Sequence, residues 1–74
     1  MFDKVQEVIV AELGVNKEDV TPEATILDDL GADSLDIVEL MMALEDTFDI
    51  EVNDDEVTKL KTVNDIVQYI EAAQ

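Results

Sequence analysis

The chain has 74 residues with no cysteine and no histidine, and it sets twenty carboxylates against four basic residues, all lysine, for a formal charge of −16. That length supports one domain, near the lower limit at which an apolar core holds a fold unaided; the missing residue types exclude disulfides, thiolate metal sites and the usual neutral-pH acid–base catalyst. The charge disfavours nucleic acid and anionic lipid as partners and favours encounter with basic proteins, the more so because fifteen of the twenty acids lie between Lys17 and Lys59, where no basic residue occurs.

The longest apolar run falls far short of the ~20 residues that cross a bilayer. Met1-Phe2-Asp3-Lys4 reads as the start of an amphipathic helix rather than a leader, so membrane insertion is not expected and a cytoplasmic protein is, with import into an organelle after removal of a presequence as the alternative. A first helix is predicted from Phe2 to Leu13, with Phe2, Val5, Ile9 and Leu13 on one face and Val8 beside them. Gly14 stands where a left-handed helix end belongs. From Val15 to Asp33 the chain is loop-like, and Thr21-Pro22 forbids a continuous helix there. Val20, Ile26, Leu27 and Leu30 are expected to tack this connection onto the core. A connection so long in so small a domain is more often functional than idle.

Gly31 precedes a second helix, predicted from Ser34 to Phe48. A short third helix fits Asp54 to Leu60, with Asn53 as its cap. The fourth opens on Thr62-Val63-Asn64-Asp65, a capping-box pattern, and continues with Val63, Ile66, Val67 and Ile70 at i, i+3, i+4 and i+7. No segment alternates as a strand would. The class is all-α, a small four-helix bundle of three main helices and one short one with a long first loop.

The second helix carries two apolar groups. At 100° per residue, Ile37, Leu40, Met41, Leu44 and Phe48 fall on one side as a core face. Leu35, Val38 and Met42 form a separate stripe, rimmed by Asp36, Glu39, Glu45 and Asp46. Two readings of that stripe stand: a docking face for a partner with an apolar groove and a basic rim, or packing beneath the long loop or the short helix. On the second, Leu35 is the residue expected to be partly buried.

Ser34 marks the passage from loop to helix. A phosphate on its hydroxyl would meet unpaired backbone amides and the positive end of the helix dipole. The plainer alternative is that a serine or aspartate before a helix serves as its N-cap. The segment Leu30-Gly31-Ala32-Asp33-Ser34-Leu35-Asp36, followed by Val38-Glu39-Leu40, resembles the prosthetic-group attachment motif of acyl carrier proteins of dissociated (type II) fatty acid synthesis. The likeness extends to Leu13-Gly14-Val15, Ala43-Leu44-Glu45 with Phe48-Asp49, Thr62-Val63 and Tyr69-Ile70, and so covers residues 1–74 as a single acyl-carrier domain.

The resemblance implies that Ser34 receives a covalent 4′-phosphopantetheine arm from coenzyme A through a holo-acyl-carrier-protein synthase, and that the chain carries growing fatty acyl groups as thioesters. It implies that Asp33 meets that synthase. Leu35, Asp36, Val38, Glu39, Met42, Glu45 and Asp46 would then meet basic patches on ketosynthases, reductases, dehydratases and acyltransferases. Ile37, Leu40, Leu44, Phe48, Val52 and Leu60 would line the pocket that shelters the cargo. The chain departs from the family pattern at Asn53, where proline is frequent, and at Ile37, where threonine is common. The unbranched Met41 and Met42 suit repacking around cargo or partner. The carrier is expected to be a monomer that catalyses nothing.

Rival classes meet the same residues less completely. A polyketide or other specialised carrier shares the attachment logic. An acidic decoy that occupies a basic site would need no serine at all. A calcium loop fails on spacing: placing Gly31 sixth puts Ile26 first and Ile37 twelfth, and placing Gly14 sixth puts Ile9 first. The adjacent acids Asp28-Asp29 and Asp54-Asp55 read as solvated surface, and without His or Cys there is no nucleophile–base set.

Overall fold

The computed structural model describes residues 1–73, with Asp54 described by its backbone alone. Four helices form: α1 (Phe2–Leu13), α2 (Ser34–Phe48), α3 (Asp54–Val57) and α4 (Val63–Ala73), with a single 3₁₀ turn at Lys17–Asp19 between the first two. The longest of them, α2, has 15 residues, and among the described residues no helix is long and apolar enough to cross a membrane.

Periodicity accounts for the three main helices. Along α1, Val5 and Ile9 are completely buried while Phe2, Val8 and Leu13 are half-buried. Gly14 closes it at φ 67° and ψ 26°, its amide returning 2.9 Å to the Val10 carbonyl, a conformation that an L side chain resists. Along α4, Val63, Ile66, Val67 and Ile70 are all buried. The predicted capping box forms: Asp65 N donates to Thr62 Oγ1 at 3.1 Å and Thr62 N to Asp65 Oδ2 at 3.2 Å.

The core lies where α1 packs against α2 and α4. Leu40 and Leu44 of α2 enter it completely, against Ile9, Ile66 and Ile70. Each such side chain contributes roughly 1.5–3 kcal/mol by leaving water, the principal stabilisation open to a chain without staples.

The long connection is tied down by polar groups as well as apolar ones. Val20, Ile26 and Leu30 are buried as expected, together with Ala24 and Ala32. Leu27 is not: it is 58% exposed. Thr25 and Asp29 explain why. Thr25 N donates to Asp29 Oδ2 at 2.8 Å, and the amides of Asp29 and Leu30 return to the Thr25 carbonyl at 3.0 and 3.1 Å. This tight turn sends Ile26 and Leu30 inward and leaves Leu27 outside.

Gln6, on the buried face of α1, anchors the other end of the connection by donating from Nε2 to the carbonyls of Lys17 (3.1 Å) and Val20 (3.0 Å). The connection also pairs with the entry to α4. Ile26 N donates to Lys61 O at 3.0 Å and Val63 N to Ala24 O at 3.0 Å, around an isolated antiparallel bridge between Thr25 and Thr62.

The third helix is shorter than its predicted span to Leu60. Beyond Val57 the chain continues as tight turns, with Lys59 N on Glu56 O (3.0 Å) and Leu60 N on Val57 O (3.1 Å). Thr58 Oγ1 takes the Asp55 carbonyl at 2.8 Å. Asn53 does not cap through its side chain; its carbonyl receives the amides of Glu56 and Val57 instead.

Candidate functional site

The start of α2 is built by two aspartates. Asp33 is the N-cap, in extended conformation at φ −97°, and its Oδ1 accepts from Asp36 N at 2.9 Å. Asp36 Oδ2 in turn accepts from Asp33 N at 3.2 Å, a capping box with aspartate at both positions. Gly31, at φ 68°, turns the chain into this arrangement. The capping role that the sequence left open for Ser34 therefore falls to its neighbour.

Ser34 is the first residue of the helix and is exposed. Among the described residues its hydroxyl has no hydrogen-bond partner, and the amides of Ser34 and Leu35 have no acceptor. An accessible hydroxyl beside two free N–H groups at the positive end of a 15-residue helix is suited to carrying an anionic ester.

Ser34 also lines a cavity of about 560 Å³. Its lining comes from α2 (Ile37, Val38, Met41, Met42 and Glu45), from the long connection (Thr25, Ile26, Leu27 and Asp28) and from the segment around α3 (Val52, Val57, Thr58, Leu60 and Lys61). The lining is mostly apolar. Of the six residues expected to shelter cargo, Ile37, Val52 and Leu60 border this cavity, whereas Leu40, Leu44 and Phe48 do not. Leu40 and Leu44 are consumed by the packing of α2 in the core. Ile26, Met41 and Val57 take their places in the wall, and no local pattern in the sequence distinguished them from ordinary core residues.

The second stripe of α2 is solvent-exposed: Leu35 by 65%, Val38 by 52% and Met42 by 60%. Leu35, expected to be the most sheltered, is the most exposed of the three, while the burial in the segment entering α2 falls on Leu30 and Ala32. The exposed Leu27 joins Val38 and Met42 at the cavity. Around the stripe, Glu39 and Asp46 are exposed, while Asp36 and Glu45 are half-buried and partly committed. Asp36 caps α2, and Glu45 Oε2 accepts from Val52 N at 3.2 Å. Asp28, Asp29 and Asp55 are exposed; the Asp54 side chain and residue 74 lie outside the described residues.

Ser34 is thus an accessible serine that caps nothing and borders an apolar cavity. Residues 3–70 match the family model described as the phosphopantetheine attachment site. Two curated relatives named acyl carrier protein, from Clostridium perfringens strains SM101 and ATCC 13124, are each 54% identical over 70 residues, covering 95% of this chain and 92% of theirs. The chain belongs to the acyl carrier protein family.

Members of this family hold 4′-phosphopantetheine covalently, and the residues present fit it. The free hydroxyl of Ser34 and the two unpaired amides beside it offer the anchor, and the cavity it borders offers space for an apolar extension. Among the described residues of this acyl carrier protein no other hydroxyl is so placed: Thr25 and Thr58 also border the cavity, but their hydroxyls are engaged, with Asp29 and with the Asp55 carbonyl.

Proposed function

We propose that this acyl carrier protein carries fatty acyl groups on a 4′-phosphopantetheine arm attached to the Ser34 hydroxyl. In this reading it presents them to the enzymes of fatty acid synthesis through the acidic, apolar-striped face of α2. The observation that carries the reading is the placement of Ser34: exposed, spared from capping by Asp33, and bordering an apolar cavity.

When bound, the arm supplies a thiol that holds the acyl group as a thioester. The chain's own residues do the rest. Ser34 is the anchor, and the amides of Ser34 and Leu35 face the negative charge beside it. Ile37, Val52 and Leu60, joined by Ile26, Met41 and Val57, keep water from an apolar chain. Met41 and Met42, unbranched, adjust to its length.

Leu35, Val38 and Met42 give a partner apolar contact. Asp33, Asp36, Glu39, Glu45 and Asp46 present carboxylates to a basic rim on the holo-acyl-carrier-protein synthase and then on ketosynthases, reductases, dehydratases and acyltransferases. Such complementarity promotes fast association without tight binding, as a protein visiting many enzymes in turn requires. The carrier works as a cytoplasmic monomer and contributes no catalytic group of its own.

The test is intact mass after incubation with coenzyme A, magnesium and a holo-carrier synthase, followed by peptide mapping. The expected result is a gain of one phosphopantetheine on the peptide containing Ser34, and none for Ser34→Ala. A gain that survives Ser34→Ala would place the arm elsewhere and end this reading.

A further inference from the structure

The cavity beside Ser34 has a single cation in its lining, Lys61. No basic residue occurs between Glu18 and Thr58, and Lys59 does not border the cavity. The Lys61 backbone is held on both sides: its carbonyl accepts from Ile26 N at 3.0 Å and its amide donates to Asp65 Oδ2 at 3.2 Å. Its side chain is exposed, and among the described residues it has no ion pair; the one ion pair there joins Lys4 to Glu7 at 3.8 Å. Two carboxylates share the cavity lining, Asp28 and Glu45, and Glu45 is engaged with the Val52 amide. In a chain of charge −16, a lysine rooted at an apolar cavity with no carboxylate on its tip among the described residues calls for a ligand.

We infer that Lys61 is the counter-ion of the phosphodiester carried on Ser34, and so positions the root of the arm toward the cavity. The inference rests on the carrier reading above. A phosphodiester on Ser34 carries a permanent negative charge on its two non-bridging oxygens, in a stretch that already holds Asp33 and Asp36 and at the same cavity as Asp28. The free amides of Ser34 and Leu35 supply dipoles but no full charge. Lys61 supplies one. A lysine is a compact charge on a flexible stem, suited to a tetrahedral oxyanion that moves, and its methylenes can lie along apolar wall while the ammonium stays in water. With the ester paired on the Lys61 side, the first atoms of the arm are drawn toward the cavity and away from Leu35, the one residue of the exposed stripe that does not border it. Lys61 is a positioning residue in this scheme.

The experiment compares the unloaded and Ser34-loaded protein, each as wild type, Lys61→Gln and Lys61→Arg, with loading verified by intact mass. Melting is followed at low salt and again at high salt, and the phosphorus resonance of the loaded forms is recorded. Lys61→Gln is expected to lower the melting temperature of the loaded form by about 2–4 °C more than that of the unloaded form, the size of a partly exposed ion pair in a domain this small. High salt is expected to erase that excess, and Lys61→Arg to restore it together with the phosphorus shift. An equal change in loaded and unloaded forms overturns the pairing, whatever the resonance does. A wild type that gains no mass at Ser34 fails at an earlier and separate point: it ends the attachment reading and the pairing with it.

Discussion

Asp33 and Asp36 satisfy each other's backbone, Asp36 N on Asp33 Oδ1 at 2.9 Å and Asp33 N on Asp36 Oδ2 at 3.2 Å, and the serine between them is left with no part in holding the helix. This division of labour separates stability from chemistry at adjacent positions. Ser34→Ala is expected to change unfolding free energy by less than about 0.5 kcal/mol while abolishing loading. Asp33→Ala is expected to cost about 1 kcal/mol, the loss of a cap, with Asp33→Asn retaining most of it. Urea denaturation of the three unloaded variants checks this; a Ser34→Ala loss as large as that of Asp33→Ala would mean the hydroxyl caps after all.

The two apolar faces of α2 make opposite demands. Leu44 is buried and Leu35 is 65% exposed. Leu44→Ala is expected to cost about 2–5 kcal/mol, the range for truncating a core leucine, enough to threaten folding of so small a domain. Leu35→Ala is expected to leave stability within about 0.5 kcal/mol and to slow loading by a holo-carrier synthase. Thermal melts paired with loading rates decide it. Unimpaired loading by Leu35→Ala would remove that residue from the partner face.

Gln6 is the one buried polar side chain among the described residues, and its two bonds hold the far end of the connection that reaches Ser34. Gln6→Ala leaves the Lys17 and Val20 carbonyls without that donor. It is expected to cost about 1–3 kcal/mol and to hasten amide exchange at Val20 and Ala24, whose backbone bonds lie in the same segment. Hydrogen exchange followed by mass spectrometry reads this directly.

Charge should govern stability as strongly as packing does. With twenty acids, four lysines and a single exposed ion pair among the described residues, repulsion is relieved mainly by counter-ions. Raising sodium chloride from about 10 mM to 150 mM shortens the Debye length from about 30 to 8 Å and is expected to raise the melting temperature. Magnesium should do so at lower concentration. A melting temperature indifferent to both would refute the claim that self-repulsion destabilises this fold.

What local pattern dictates was legible in the chain. The buried faces of α1 and α4, the left-handed turn at Gly14, the Thr62–Asp65 box and the start of α2 at Ser34 each depend on residues within a turn or two of one another. The sequence alone thus determined the three main helices, the caps of α1 and α4 and, through the attachment motif, the serine on which the carrier reading rests, but not the early end of α3 at Val57 or which residue caps α2. Only the tertiary structure decided which residues make the cavity, where Leu27 points and which of two apolar groups on α2 faces water. Those depend on how far α2 stands from the Thr25–Thr62 bridge and from the turns after α3. Leu40 and Met41 look alike in sequence and both are buried, but Met41 also borders the cavity and Leu40 does not. A cavity is a property of the space between segments distant in sequence, and side-chain periodicity within one helix carries no measure of that distance.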